Sequence, residues 1–342
     1  MSDSLENKID QEDNEVMYEH HHIVVDKGQS LLRIDKFLVN RIENVSRNKI
    51  QNAIIAGNVK VNNLIVKPNY RVKPGNIITV VFPYPAEFEI VPENIPLNIV
   101  FEDEDLLIIN KPNGLVVHPG YGHYTGTMVN ALAFYLNQNA GFSDNNIRHG
   151  LVHRIDKNTT GLLVVAKNEI ALNKLAKQFF DKTVKRTYYA LVWGNLKNDS
   201  GSIIGNIGRS QRDRRVMTVF DDNEKGKHAI THYRVLKRFQ YTTLIACNLE
   251  TGRTHQIRVH FKHIGHPLFG DKTYGGDQIV QQAPFPKFEQ FVKNCFEILQ
   301  RQALHAKTLG FIHPTTNQFI QFDSELPEDF RTVIEKWEKV AT

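Results

Sequence analysis

Apolar residues Leu31, Ile34, Phe37, Leu38 and Ile42 recur at helical spacing and predict a first helix beginning at residue 31. Ser46 then stands as the N-cap of a second short helix that carries Ile50, Ala53 and Ile54 and is stopped by Gly57. Past it the period falls to two. Val59 and Val61, an Asn62-Asn63 turn, Leu64 and Val66, then Pro74-Gly75 and the run from Ile77 to Phe82 predict a small antiparallel sheet. Upstream, residues 1–22 are polar and acidic without hydrophobic period, and are expected to be a disordered tail ending in His20, His21 and His22. Downstream, Pro83, Pro85, Pro92 and Pro96 crowd into fourteen residues, so residues 83–97 read as a linker between a small domain at 30–82 and a larger one at 98–342.

In the larger domain the pattern predicts strands near 106–109, 162–166, 188–193, 229–236 and 243–249. Its clearest helix is 169–181, with Leu172, Leu175, Ala176 and Phe179 on one face, and another is expected over 254–264. Strands and helices do not alternate strictly. That argues for an α+β fold and against a doubly wound parallel sheet.

Composition narrows the class. Of 342 residues, 41% are hydrophobic and 23% charged, which excludes disordered, collagen-like and coiled-coil chains. No stretch approaches a membrane span, and the first twenty residues hold seven carboxylates against one lysine, the reverse of a secretory signal, so the protein is expected in the cytoplasm with no membrane partner. Cys247 and Cys295 lack CxxC spacing and are expected to be buried thiols. With the acidic start set aside, the remaining residues carry 41 basic against 30 acidic groups, an excess that favours a polyanion. The excess is densest over residues 30–80, where nine basic residues, among them Arg33, Lys36, Arg47, Lys49 and Lys60, face only Asp35 and Glu43.

Four segments carry candidate chemistry. In HRIDKNTTGLLVVAK (153–167) a polar loop runs straight into a buried strand, so a carboxylate on it can be held rigidly. Asp156 sits there between Arg154 and Lys157, a setting suited to a nucleophile or base and equally to a turn aspartate in a surface ion pair. In TGRTHQIRVH (251–260) Arg253 and Arg258 flank a tight turn where they suit a carboxylate or a phosphate. His260, His263 and His266 follow at intervals of three, but Gly265 should end the helix and no cysteine or carboxylate completes a ligand set, so no metal is expected. In RTYYALVWG (186–194) Tyr188 and Tyr189 point to opposite faces of a strand; one belongs to a core and the other can stack on a base. Arg209, Arg212, Arg214 and Arg215 read as a mobile basic arm.

Taken with NKPNGLVVHPG (110–120) and ALHAKTLGFIHP (303–314), these segments, in this order, resemble the RluA/RluD family of RNA pseudouridine synthases, most closely its large-subunit ribosomal branch. RIDKFL, SRNKIQNAI and GNVKVN resemble the small αL RNA-binding module that the family shares with a small-subunit ribosomal protein. The resemblance covers nearly all of the chain after the acidic start; Ile155 stands where leucine is commoner. It implies a largely antiparallel catalytic sheet, ribosomal RNA as partner and no metal or cofactor, with the protein expected as a monomer. It also implies that Asp156 is the essential carboxylate, Arg258, after Ile257, its partner, with Arg253 the second choice, Tyr188 the stacking ring and Arg154 the side chain that replaces the flipped nucleotide; His153 opens the same motif. Two other readings keep the fold: a transfer-RNA modifying enzyme, and a non-catalytic ribosome-assembly factor.

Overall fold

The computed structural model describes residues 18–42, 47–83, 90–119, 123–139, 150–210, 212–213, 216–220, 225–280 and 287–341, and the chain divides into two units between Glu89 and Ile90. In the first unit α1 (Ile34–Val39) and α2 (Arg47–Ile55) accompany a sheet of β1 (Tyr18–Val24), β2 (Val59–Val61), β3 (Leu64–Ile65) and β4 (Ile77–Pro83), ordered β1-β4-β2-β3 and antiparallel throughout. Ile34, Phe37, Leu38, Ile50 and Ile54 from the helices meet Val59, Val61, Ile78 and Val80 from the sheet in one buried core. The alternation that predicted β2 and β4 is the inward-facing set of each strand.

Two boundaries move. The first helix starts at Ile34, because Leu32 accepts a backbone hydrogen bond from Val72 and Ile34 donates one to Tyr70, which holds the preceding residues extended. The end of the expected tail is a strand: His20, His21 and His22 lie in β1, paired with Val81, Val80 and Thr79. An edge strand is held by backbone hydrogen bonds whatever its side chains, so a run of histidines gave no period to read. Residues 1–17 and the Ser46 cap lie outside the described residues.

The described strands of the second unit form one ten-stranded sheet. They are β5 (Ile99–Glu102), β6 (Leu106–Lys111), β7 (Thr160–Ala166), β8 (Lys185–Trp193), β9 (Ser200–Arg209), β10 (Met217–Phe220), β11 (Lys227–Arg238), β12 (Thr242–Leu249), β13 (Leu304–Ile312) and β14 (Phe319–Asp323). The order is β10-β9-β11-β12-β8-β13-β7-β6-β5, with β14 also on β13, and only the β13–β7 pairing is parallel among the described strands. This is the α+β, largely antiparallel arrangement expected. One face, through Leu107, Leu163, Ala190 and Cys247, packs on α3 (Met128–Asn139) and α5 (Gln256–His263). The other is covered in two places. Leu106, Ile108, Leu162 and Val164 pack on α4 (Glu169–Phe180), whose N-cap Asn168 accepts from the Ala171 N–H; Leu191 and Trp193 pack on α6 (Phe288–Ile298) and α7 (Glu328–Ala341).

Two expectations change here as well. Residues 90–97 are not linker, since Ile90 and Leu97 pack against the larger core and the Asn130 side chain donates to the Val91 carbonyl at 2.9 Å. The basic arm is a hairpin: Arg209 ends β9 opposite Met217, and Val216, Met217 and Val219 pin β10 against Val259 and Tyr274. Arg212 is exposed in its turn, and Arg214 and Arg215 fall outside the described residues. Both cysteines are free and buried, and no described helix is long and apolar enough to cross a membrane.

Candidate active site

The polar loop 153–159 is clamped on several sides. Gly161, just inside β7, has φ +112°, and a Cβ there would collide with the Ala306 carbonyl, so only glycine lets β13 approach in parallel. The Gln302 side chain donates to the Thr159 hydroxyl at 3.2 Å, and Thr160 is hydrogen-bonded to buried His305 at 2.8 Å. Beneath the loop the Lys111 side chain is fully buried and donates to the carbonyls of Pro112, Leu115 and Lys157 at 2.8, 2.9 and 2.8 Å. Burial pulls the Lys111 pKa down to about 7, against the pull of the Asp156 charge.

Held in this way, Asp156 stays 22% exposed and accepts a hydrogen bond from Arg258 Nη1 at 2.9 Å. Arg258 is itself buried, and its Nε and Nη2 donate to the two oxygens of Asp271 at 2.7 and 2.9 Å while its guanidinium lies 5.0 Å from the centre of the Tyr274 ring. Burial alone would disfavour the guanidinium charge; the hydrogen bonds and charge of Asp271, with the charge of Asp156, outweigh it and raise the Arg258 pKa further. Asp271 is 1% exposed, in a turn where Gly270 has φ +76° and no room for a Cβ beside the Arg301 carbonyl. Asp271, Arg258 and Lys111 are buried, and Asp156 is the member of this charged cluster open to solvent.

Tyr188 is 6% exposed on the same face of the sheet. Burial raises its pKa; the nearby Arg186 opposes that and the Asp156 charge adds to it, so ring and carboxylate lie within electrostatic reach. Ile257 is buried in the core below, and Arg154 is exposed on the loop. Arg253 is not the partner of Asp156: its Nε donates to the His228 carbonyl at 3.3 Å. The Gln256 side chain decides this, accepting from Thr251 and from the Arg253 N–H and donating to Ile230, while His255 takes a left-handed φ of +56°. His153 does not face the carboxylate either. Its Nε2 accepts from the Val164 N–H, its ring stacks on Phe179 of α4 with centroids 4.5 Å apart, and burial lowers its pKa to about 3.

Of the three spaced histidines, His260 is hydrogen-bonded to Thr231 and His266 to the Trp193 carbonyl. Among the described residues one cluster has ligand-like spacing, Asp103, Asp105 and His313. His313 Nδ1 accepts the N–H groups of Thr315 and Thr316, which leaves Nε2 to donate to Asp103 at 2.8 Å.

In the small unit, Arg33 and Arg47 both donate through two nitrogens to fully buried Asp35, and Gln51 donates to it as well. Burial would raise the Asp35 pKa, but these bonds hold it far below the usual carboxylate range. The two arginines are therefore preset as a pair, each about half exposed. Lys36 and Lys60 are exposed, and Lys49 lies on α2.

A sequence model described as RNA pseudouridylate synthase matches residues 105–263, and one described as the S4 domain matches residues 32–78. An "Uncharacterized RNA pseudouridine synthase" of Chlorobaculum parvum is 48% identical over 320 residues, spanning 93% of this chain and 98% of that one. The chain belongs to the RNA pseudouridine synthase family. Among further members, the "Ribosomal large subunit pseudouridine synthase D" of Zymomonas mobilis is 42% identical over 301 residues, 87% of this chain and 92% of its own. The solved structure of human RNA pseudouridylate synthase domain containing 1 superposes with a TM-score of 0.51 at 26% identity, over 69% of this chain and 85% of that one.

Sequence reasoning about this synthase missed Lys111, Asp271 and Tyr274. The signals were a lysine closing the apolar run LLIINK and an aspartate framed by glycines in FGDKTYGG. Replacing Lys111 by methionine is expected to cost about 3 kcal/mol, because three carbonyls, of which the Leu115 one is in a buried bond, lose their donor and Asp156 loses a nearby cation. Urea unfolding measures this, and a loss below about 1 kcal/mol would mean that water satisfies the carbonyls.

Proposed function

We propose that this isomerase converts uridine to pseudouridine in large-subunit ribosomal RNA, with Asp156 as the carboxylate on which the reaction depends. The observation that carries the reading is the Asp156–Arg258 pair, a rigidly mounted and partly exposed carboxylate backed by a buried guanidinium that is itself fixed by Asp271. The reaction breaks the bond from uracil N1 to C1′, turns the base and joins C5 to C1′; the C5 proton leaves and N1 gains one. An ionised carboxylate serves as nucleophile or as base in such a sequence. The target must first leave its stack, at a cost of a few kcal/mol. Relatives from Zymomonas mobilis and Vibrio cholerae carry the name large-subunit synthase, and the S4 domain with its preset arginine pair supports a large RNA substrate.

Mapping pseudouridine in cellular RNA with and without the protein tests the reading. Loss of one or a few large-subunit sites is the expected result, whereas loss confined to transfer RNA would overturn the ribosomal assignment. Tyr188→Phe is expected to bind RNA normally but turn over slowly, and Tyr188→Ala to lose about 1–3 kcal/mol of base stacking as well. Single-turnover rates and filter binding separate the two, and wild-type behaviour of both variants would remove Tyr188 from the site.

A further inference from the structure

The Tyr188-Tyr189 pair splits across the sheet. Tyr188 takes the face of Asp156, and Tyr189 takes the opposite face, in the gap between the part covered by α4 and the part covered by α6 and α7. A groove of about 510 Å³ opens there over β8, β11 and β12, a volume within the range of sites that hold molecules of nucleotide size. Its floor is Tyr189 and Ala246, and Thr187, Asn248, Lys185 and Arg234 stand around it.

Its charges are unevenly matched. Glu250 is held by His232 at 2.6 Å, and His232 is bound on its other side by the Ser202 hydroxyl at 2.7 Å. Lys307 sits 5.9 Å from the centre of the Tyr189 ring and is paired with Asp323. Lys185 and Arg234 are exposed and have no carboxylate partner among the described residues. The groove therefore joins one partly exposed aromatic ring to uncompensated positive charge on an open sheet. That combination takes single-stranded RNA, with a base on the ring and phosphates on the flanking cations.

We propose that this groove is a second RNA-binding surface, which holds an unpaired segment of the substrate by stacking a base on Tyr189 and placing its phosphates on Arg234 and Lys185. It lies across the sheet from the Asp156 loop, so it acts on affinity and substrate choice and not on the reacting bond. The inference rests on RNA being the substrate class and not on which uridine is modified or on the role of Asp156.

The test uses the full chain and a fluorescent twelve-nucleotide uridine strand carrying 4-thiouridine. Tyr189→Ala and Arg234→Glu are each expected to weaken binding about fivefold or more, with Arg234→Glu also flattening the salt dependence. Photocrosslinks are expected in residues 185–191, and both variants should remain folded at the assay temperature, as circular dichroism checks. Unchanged affinity in both variants, crosslinks confined to other segments, or failure of the wild-type protein to bind the strand would overturn the proposal. Equal binding of a twelve-base-pair duplex would overturn it too, by reducing the surface to unspecific phosphate attraction, and Tyr189-dependent capture of an acidic peptide with no effect on the strand would give the face to protein. A wild-type protein that binds the strand through Tyr189 but forms no pseudouridine would leave this proposal standing and overturn the catalytic reading alone.

Discussion

Asp156→Asn is expected to bring product formation down by at least about 10²- to 10⁴-fold while leaving the fold and the affinity for RNA intact. The substitution keeps the size of the side chain, and the amide oxygen still accepts from Arg258 Nη1, so the loop retains that 2.9 Å hydrogen bond. What disappears is the negative charge and the nucleophile or base that goes with it, and the remaining carboxylate of the set, Asp271, is 1% exposed and occupied by two nitrogens of Arg258. RNA affinity should hold or rise slightly, because phosphate contacts are spread over the basic surface and one carboxylate has been removed from it. Release of tritium from uridine labelled at C5 reads the reaction, since that hydrogen leaves when C5 becomes the glycosidic carbon. If Asp156 were only a turn residue in a partly exposed ion pair, the variant would lose at most about 1 kcal/mol of stability and keep its rate; normal release by the asparagine variant would establish that.

The second large effect is expected at Asp271, a residue that no substrate atom needs to touch. Asp271→Ala removes two of the three hydrogen bonds found on Arg258 and leaves a buried guanidinium facing Asp156 alone. Breaking one side of a buried pair costs about 3–5 kcal/mol, far more than an exposed pair is worth, because the surviving charge stays desolvated. The freed guanidinium also swings toward Asp156 and draws on the oxygen that now remains open, so activity should fall in the protein that stays folded. Asp271→Asn keeps the shape and one acceptor oxygen but presents an NH₂ group to a donor, and is expected to fall between the two. Glutamate should not rescue it, since the tight turn at Gly270 fixes how far the carboxylate reaches. Denaturant unfolding followed by tritium release at low temperature separates stability from rate. A loss under about 1 kcal/mol in the alanine variant would show that water replaces the carboxylate and that Arg258 is held by packing alone.

The chain by itself determined what local spacing can encode. The periods of 3.6 and two located α2, α4, β2, β4, β7 and β8 to within a few residues, the proline cluster marked the break between the units, and the density of polar residues in HRIDKNTTG before a buried strand marked that loop as a candidate site, within which the family resemblance chose Asp156. Local spacing could not separate Arg253 from Arg258, because two arginines around one turn are equivalent until Gln256 and the left-handed His255 set the direction of each. Nor could it show Asp271 and Lys111 beside Asp156. Those neighbours come from the tertiary pairing: Lys111 stands opposite Gly161 where β6 pairs with β7, and the turn of Asp271 follows Leu268, which bridges Val192 of β8. Hydrophobic period reports only which face of its own element a residue takes; which element lies opposite is a property of the folded sheet, and the charges that set the chemistry of Asp156 are supplied from there.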